Sequence, residues 1–345
     1  MGFHSLAMAL IVGLLLGPFL LAQTVAPGSP AQEPASEIPE ISRVVVDRPV
    51  WFPRDQDWLP PLPEVGGTPY RVMVVGSLMD MSGGHPAPDP REQALIAQLG
   101  PLLGRAVPLF LVERFRLRTS VRLSACLLRV GRRGWATFAD IDEEPFLNIL
   151  RKSGEEVDLV VILTVLRQGP DRWLLSARLI DPNGKEKAEE VKVEFDPLQA
   201  DLASVKLSAE LAGIFFEGRR LKLQDAPDWY LHLPFQNYPI YLVALDQCLT
   251  LETSVTEGSD RSALYGLDDF LATAMTLVQA EPPSLNARLM LLGTVRNLGV
   301  IAPDVLAEHR ATLEDLLTEC PGRSEAGREA DRRIRRILAD LKERG

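Results

Sequence analysis

One run of residues limits the folds open to this chain more than any other. Val157-Asp-Leu-Val-Val-Ile-Leu-Thr-Val-Leu166 is apolar and β-branched almost throughout, interrupted only by Asp158 and Thr164. At this length, with Gly169-Pro170 behind it, the run predicts a strand buried on both faces. Its neighbours extend a sheet. From Arg172 to Asp181, Trp173, Leu175, Ala177 and Leu179 alternate with other residues. Asp181-Pro-Asn-Gly184 then supplies a turn, because Asn-Gly accepts positive φ. Val191, Val193 and Phe195 alternate with Lys192 and Glu194 on the returning strand. Upstream, Arg71-Val-Met-Val-Val-Gly76 reads as another buried strand, and Thr119 to Val130 is β-leaning.

Helical spacing separates these strands. Asp89-Pro90-Arg91-Glu92 has the form of a helix start, and the helical pattern runs to about Arg118, with breaks expected at Gly100-Pro101 and Pro108. Glu143 to Ser153 is a short helix, and Pro197 to about Phe216 a longer one. From Ile240 onward helical spacing dominates, with helices expected near 240–254, 260–279, 284–298, 303–319 and 325–343. The fold class is therefore α+β: a mixed-sheet α/β sandwich domain over 70–225, followed by an all-α domain of helical hairpins over 226–345.

Two segments precede them. Leu6 to Leu21 is apolar apart from Gly13, Gly17 and Pro18, and no ionised side chain occurs before Glu33. The run is shorter than the ~20 residues that span a bilayer. It reads as an export signal over 1–22, cut between Ala22 and Gln23, or else as an uncleaved N-terminal anchor. Either way the body of the chain is expected outside the cytoplasm, in the periplasm or an equivalent extracytoplasmic space. Residues 23–69 carry ten of the 27 prolines and read as a tether. Val44, Trp51, Phe52 and Trp58 make part of 43–63 a candidate to pack on the folded body.

Charge and reactive residues narrow the function. A net charge of −10 argues against general affinity for nucleic acid or anionic lipid. The three cysteines form no metal-ligand spacing, so no metal or cofactor is expected. Cys248 and Cys320 are candidates for a disulfide, or are small buried hydrophobes. His4, His85, His232 and His309 stand apart from any nucleophile motif, and there is no phosphate-binding loop. Asp140, Asp142, Glu143 and Glu144 precede a helix, where its positive end accommodates them. No catalytic residue is assigned.

Two features suit a partner. Residues 105–133 hold eight arginines against Glu113 alone, so 8 − 1 gives +7. Within it, Arg114, Arg116, Arg118, Arg122, Arg132 and Arg133 form a candidate interaction surface, or a solvated face balanced by nearby acids. Trp229, Tyr230, Phe235 and Tyr238 form a candidate groove, or a wedge between the two halves. The last helix reads as exposed and salt-bridged through Glu329/Arg333, Asp331/Arg335 and Asp340/Arg344.

Val157-Asp-Leu-Val-Val, Ser176-Ala-Arg-Leu-Ile-Asp181 with Gly184, and the Val72–Gly76 strand resemble the amino-terminal domain of TolB and related envelope assembly proteins. Leu271-Ala-Thr-Ala-Met-Thr-Leu277, Glu281-Pro282 and Leu285-Asn-Ala-Arg-Leu-Met-Leu-Leu-Gly293 resemble tetratricopeptide repeats. These resemblances imply a non-enzymatic envelope protein that holds a protein partner. A module for an anionic glycan or lipid headgroup, or a hydrolase of unrecognised type, are the alternatives.

Overall fold

The computed structural model describes residues 41–52, 58–59, 70–80, 90–130, 134–137, 141, 143–169, 171–183, 189–219, 227, 230, 239–256, 258, 261, 264, 266–318 and 324–344. The elements are β1 (Ile41–Val46), β2 (Tyr70–Asp80), α1 (Pro90–Arg118), β3 (Val121–Val130), β4 (Gly134–Ala136), α2 (Glu143–Ser153), β5 (Leu159–Arg167), β6 (Trp173–Ile180), β7 (Glu189–Phe195) and α3 (Ala200–Arg219). They continue as α4 (Ile240–Thr256), α5 (Leu267–Ala280), α6 (Leu285–Ile301), α7 (Pro303–Glu308), α8 (Arg310–Thr318) and α9 (Glu325–Arg344). A mixed sheet followed by an all-α part is the architecture expected.

The sheet order is β1-β3-β2-β5-β6-β7, with β4 also paired to β3. The centre, β3-β2-β5, is parallel, and both flanks are antiparallel. Parallel strands need crossovers, and α1 and α2 are those crossovers. Alternation along the strands then sorts the side chains. Val72, Val74, Val161 and Leu163 face α1 and α3. Met73, Val75, Val160 and Ile162 face the other way, under Leu147 and Leu150 of α2.

Three expectations are corrected. The sheet begins at Ile41, not Tyr70, because Val44-Val-Val46 pairs with Ala125–Leu127 at the sheet edge in the proline-free run between Pro39 and Pro49. Residues 41–46 are thus strand and not tether. Next, α1 runs unbroken through Pro101 and Pro108. Each proline leaves the carbonyl four residues back without its helical donor. For Pro108 that carbonyl belongs to Gly104, which packs against β2 at Gly76. A Cβ on Gly76 would run into the Gly104 oxygen and would lie 2.8 Å from the Gly104 carbonyl carbon. Helix and strand meet here at backbone distance. Finally, the stretch expected as one helix near 303–319 is two, α7 and α8, with His309 between them.

The two parts expected as separate domains share one core. A single buried cluster runs from the sheet through Phe110, Phe115 and Phe215 to Tyr241, Leu271, Leu291 and Leu338. Phe115 and Phe215 meet edge to face at 5.2 Å, and Phe110 and Tyr241 at 6.3 Å. Inside the helical part, Arg288 and Asp331 pair at 2.6 Å with both side chains essentially unexposed. Arg288 also donates to the Pro282 carbonyl (3.1 and 2.8 Å), which leaves the buried guanidinium well satisfied. Asp331 was expected to pair with Arg335, which instead donates to the Leu317 carbonyl at 2.9 Å.

The contact at Gly76 makes a paired prediction. Gly76→Ala overpacks the α1–β2 seam and lowers stability by about 1–3 kcal/mol or more. Gly213→Ala, in α3 where an added Cβ meets nothing within 4 Å, raises it by up to ~1 kcal/mol. Urea midpoints of the two variants, read against the wild type, should move in opposite directions.

Candidate functional site

The site is assembled around an acid that stands in an apolar helical stripe. On α1 the buried positions Ala106, Leu109, Phe110, Glu113 and Leu117 recur at helical spacing, so Glu113 faces inward and is fully buried. Three donors reach it. Trp51 donates its indole N–H to Oε2 at 2.5 Å. Tyr230 and Tyr241 donate their hydroxyls to Oε1 at 2.5 and 2.7 Å. Asn286 of α6 donates to the Tyr241 hydroxyl at 3.1 Å, and Ser284 donates to Asn286 Oδ1 at 2.6 Å. Burial pushes the Glu113 carboxyl above its ordinary range, against the opposing pull of the three donors and of Arg114. Burial and the Glu113 charge together raise both tyrosines well above theirs.

Further polar contacts join the sheet part to α4. That helix starts after Pro239 and has no acidic residue in its first turn. Its cap comes from α3, where the Asp201 carboxylate accepts from the backbone N–H of Tyr241 and Leu242, each at 3.2 Å. Arg105 of α1 forms a two-pronged pair with Asp246 of α4 at 2.7 and 2.9 Å. Trp135 of β4 donates to Thr250 Oγ1 at 3.2 Å.

Anchored through Trp51 to Glu113, residues 47–52 and 58–59 form a strap. Trp51 and Phe52 are buried, with rings 5.9 Å apart edge to face. Trp58 lies under the guanidinium of Arg333 of α9, 4.6 Å from its ring centre. Between this strap and helices α4, α6 and α9 is a cleft of about 550 Å³. Cys248, Leu292 and Gly293 lie at its floor, and Arg296, Arg333 and Arg336 line it as well. Arg333 is also held by Glu329 at 3.0 Å. Among the described residues, Glu252 is the one acidic side chain in the lining, and it faces Arg48 at 3.6 Å. A smaller hollow of about 230 Å³ adjoins it beyond Glu252, between the end of β1 and α4.

The residues singled out in the sequence fall elsewhere. Arg114 sits over the Phe110 ring at 5.9 Å, and Arg116 and Arg118 are half-buried. Arg122 is exposed on β3. Arg105 is spent on Asp246, and Arg129 is buried over Trp135 at 5.7 Å. The basic run is therefore not one continuous surface, because alternate residues of a helix and a strand point into the core. Tyr230 is buried on Glu113 and is no part of an open groove. Arg132, Arg133, Trp229, Phe235, Tyr238, Ala22, Gln23 and Cys320 lie outside the described residues.

Cys248 carries a free thiol, pushed up to about 12 by burial, so it is a poor nucleophile at neutral pH. Burial likewise pushes Cys126 up to about 11. Glu143 and Glu144 pair with Arg178 and Arg151 at 2.7 and 3.3 Å. His309 meets Asp268 at 3.1 Å beside α7. Asp140, Asp142, His85 and His232 lie outside the described residues. Neither the comparison with protein-family models nor that with curated proteins finds a match for this chain.

Glu113 sets a pH prediction. Because burial raises its pKa, the folded chain holds this proton to higher pH than the unfolded chain does. Its contribution to stability is complete below the ordinary 4.5 and is lost as pH rises through the folded value. Glu113→Gln should flatten this part of a stability-versus-pH curve measured by thermal unfolding. Glu113→Ala leaves three buried donors unanswered and should cost about 3–5 kcal/mol.

Proposed function

We propose that this is an exported, non-enzymatic cell-envelope protein that holds another protein of the envelope. The cleft is the observation that carries the reading. It offers guanidinium groups, indole rings and an apolar floor, which is the chemistry of recognition surfaces. Its walls come from parts of the chain distant in sequence, and Trp51 among them is held by its hydrogen bond to Glu113, so that wall is set before a partner arrives. The resemblances of the sheet strands to the amino-terminal domain of TolB, and of α5–α6 to tetratricopeptide repeats, point the same way. The alternative of an anionic glycan or headgroup rested on the arginine run of 105–133, and with Arg105 and Arg129 turned inward that support is reduced.

Two measurements test this reading. The photoreactive residue p-benzoyl-phenylalanine, placed at Thr256 on the cleft wall, should give a discrete protein adduct in the native cell envelope, whereas the same residue at Lys192 on β7 should not. Adducts at neither position, or at both alike, contradict the reading. Sequencing of the mature protein from the envelope fraction should find Gln23 at its amino terminus.

A further inference from the structure

We propose that the cleft between the strap and helices α4, α6 and α9 takes an extended peptide segment that alternates carboxylates with large apolar side chains. This rests on the partner-binding reading and gives that partner's chemistry.

Charge is the first argument. In a chain of net charge −10, three arginines gather at one cleft. Among the described residues, Arg296 and Arg336 have no carboxylate partner, and both are exposed. Arg333 is fixed in place between Trp58 and Glu329. Guanidinium groups bind carboxylates through two parallel N–H donors, a geometry that ammonium groups cannot match. Arg333 and Arg336 stand one turn apart on α9, and Arg296 lies on the neighbouring α6. Charges spread over two helices suit a row of carboxylates along a chain better than a single headgroup.

The floor is the second argument, and it is independent of charge. Gly293 lies inside α6, where glycine is less favourable than alanine. No packing contact requires it, because an added Cβ would meet nothing within 4 Å. What its missing side chain does is deepen the cleft. Leu292, Val255 and Ile337 offer apolar surface around it. The N–H of Trp51 is committed to Glu113, so Trp51 presents hydrocarbon to the cleft. A volume of about 550 Å³ admits one or two large apolar side chains with their flanking backbone.

The test uses the full chain and a fluorescein-labelled octapeptide alternating glutamate with leucine and phenylalanine, read by fluorescence anisotropy. The peptide should bind, and less tightly as salt is raised toward ~0.3 M. Arg296→Glu with Arg336→Glu should weaken binding roughly tenfold or more. Gly293→Leu should weaken it comparably with the charge unchanged. Gly293→Ala, which favours the helix, should weaken it less while the protein stays at least as stable, so lost affinity is not lost folding. Peptides with lysine for glutamate, or serine for the apolar residues, should bind far more weakly.

The proposal is overturned if the acidic peptide does not bind, if the double arginine variant or Gly293→Leu binds it as the wild type does, or if the serine peptide binds equally well. Capture of the protein by vesicles containing phosphatidylglycerol, with the peptide unable to compete, also overturns it. If the Thr256 crosslink forms but the acidic peptide does not bind, this proposal fails and the partner-holding reading stands. If the peptide binds and no crosslink forms, it is the broader reading that fails.

Discussion

A buried carboxyl group with three donors organises this molecule. Glu113 draws on Trp51, 62 residues before it, and on Tyr230 and Tyr241, 117 and 128 residues after it. An acid at such depth is tolerable only when its oxygens are satisfied. Satisfying them brings the strap, the segment joining the two parts, and the first helix of the helical part to one point on α1. The cleft follows from this, since Trp51 is both a ligand of Glu113 and a wall of the cleft.

The other inter-part contacts reinforce the same junction by different means. Asp201 answers backbone N–H groups that α4 cannot cap with its own side chains. Arg105 and Asp246 form a two-pronged pair that fixes the rotation of α4 against α1. Such pairs add little to net stability, because their desolvation offsets much of the attraction. Exposed pairs such as Arg172–Glu194 contribute about 0–1 kcal/mol and organise little. The apolar core supplies the bulk of the driving force, and the buried polar contacts join the sheet part to α4 at defined points.

The sheet was legible in the sequence, because buried parallel strands announce themselves as unbroken apolar runs. Val157–Leu166 and the hairpin after Ile180 needed no tertiary information. The course of α1 did not show, because two prolines argue for breaks, and only the meeting of Gly104 with Gly76 explains how the helix passes through them. Glu113 was visible in principle, as an acid in an apolar stripe, but in the sequence it stood out only as the lone acid among eight arginines. The strap was legible only as a set of large apolar groups in a proline-rich stretch. The cleft was not legible at all. It is made by residues from 50–52, 58, 248–256, 292–297 and 333–337, which no local pattern connects. The arginines of 105–133 misled for a related reason, since a count of charges along a sequence does not reveal which of them a helix or strand turns inward.

If Glu113 and its donors weld the two parts into one cooperative body, the cleft cannot form in one part alone. Denaturant unfolding of the full chain, followed by both tryptophan fluorescence and far-ultraviolet circular dichroism, tests this most directly. Trp51 and Trp58 lie on the strap and Trp135 and Trp173 in the sheet, while the dichroism is weighted toward the helices. One transition, superimposable by both probes, is the result predicted. Two separated transitions, with the helical signal surviving after the tryptophans are exposed, would contradict it.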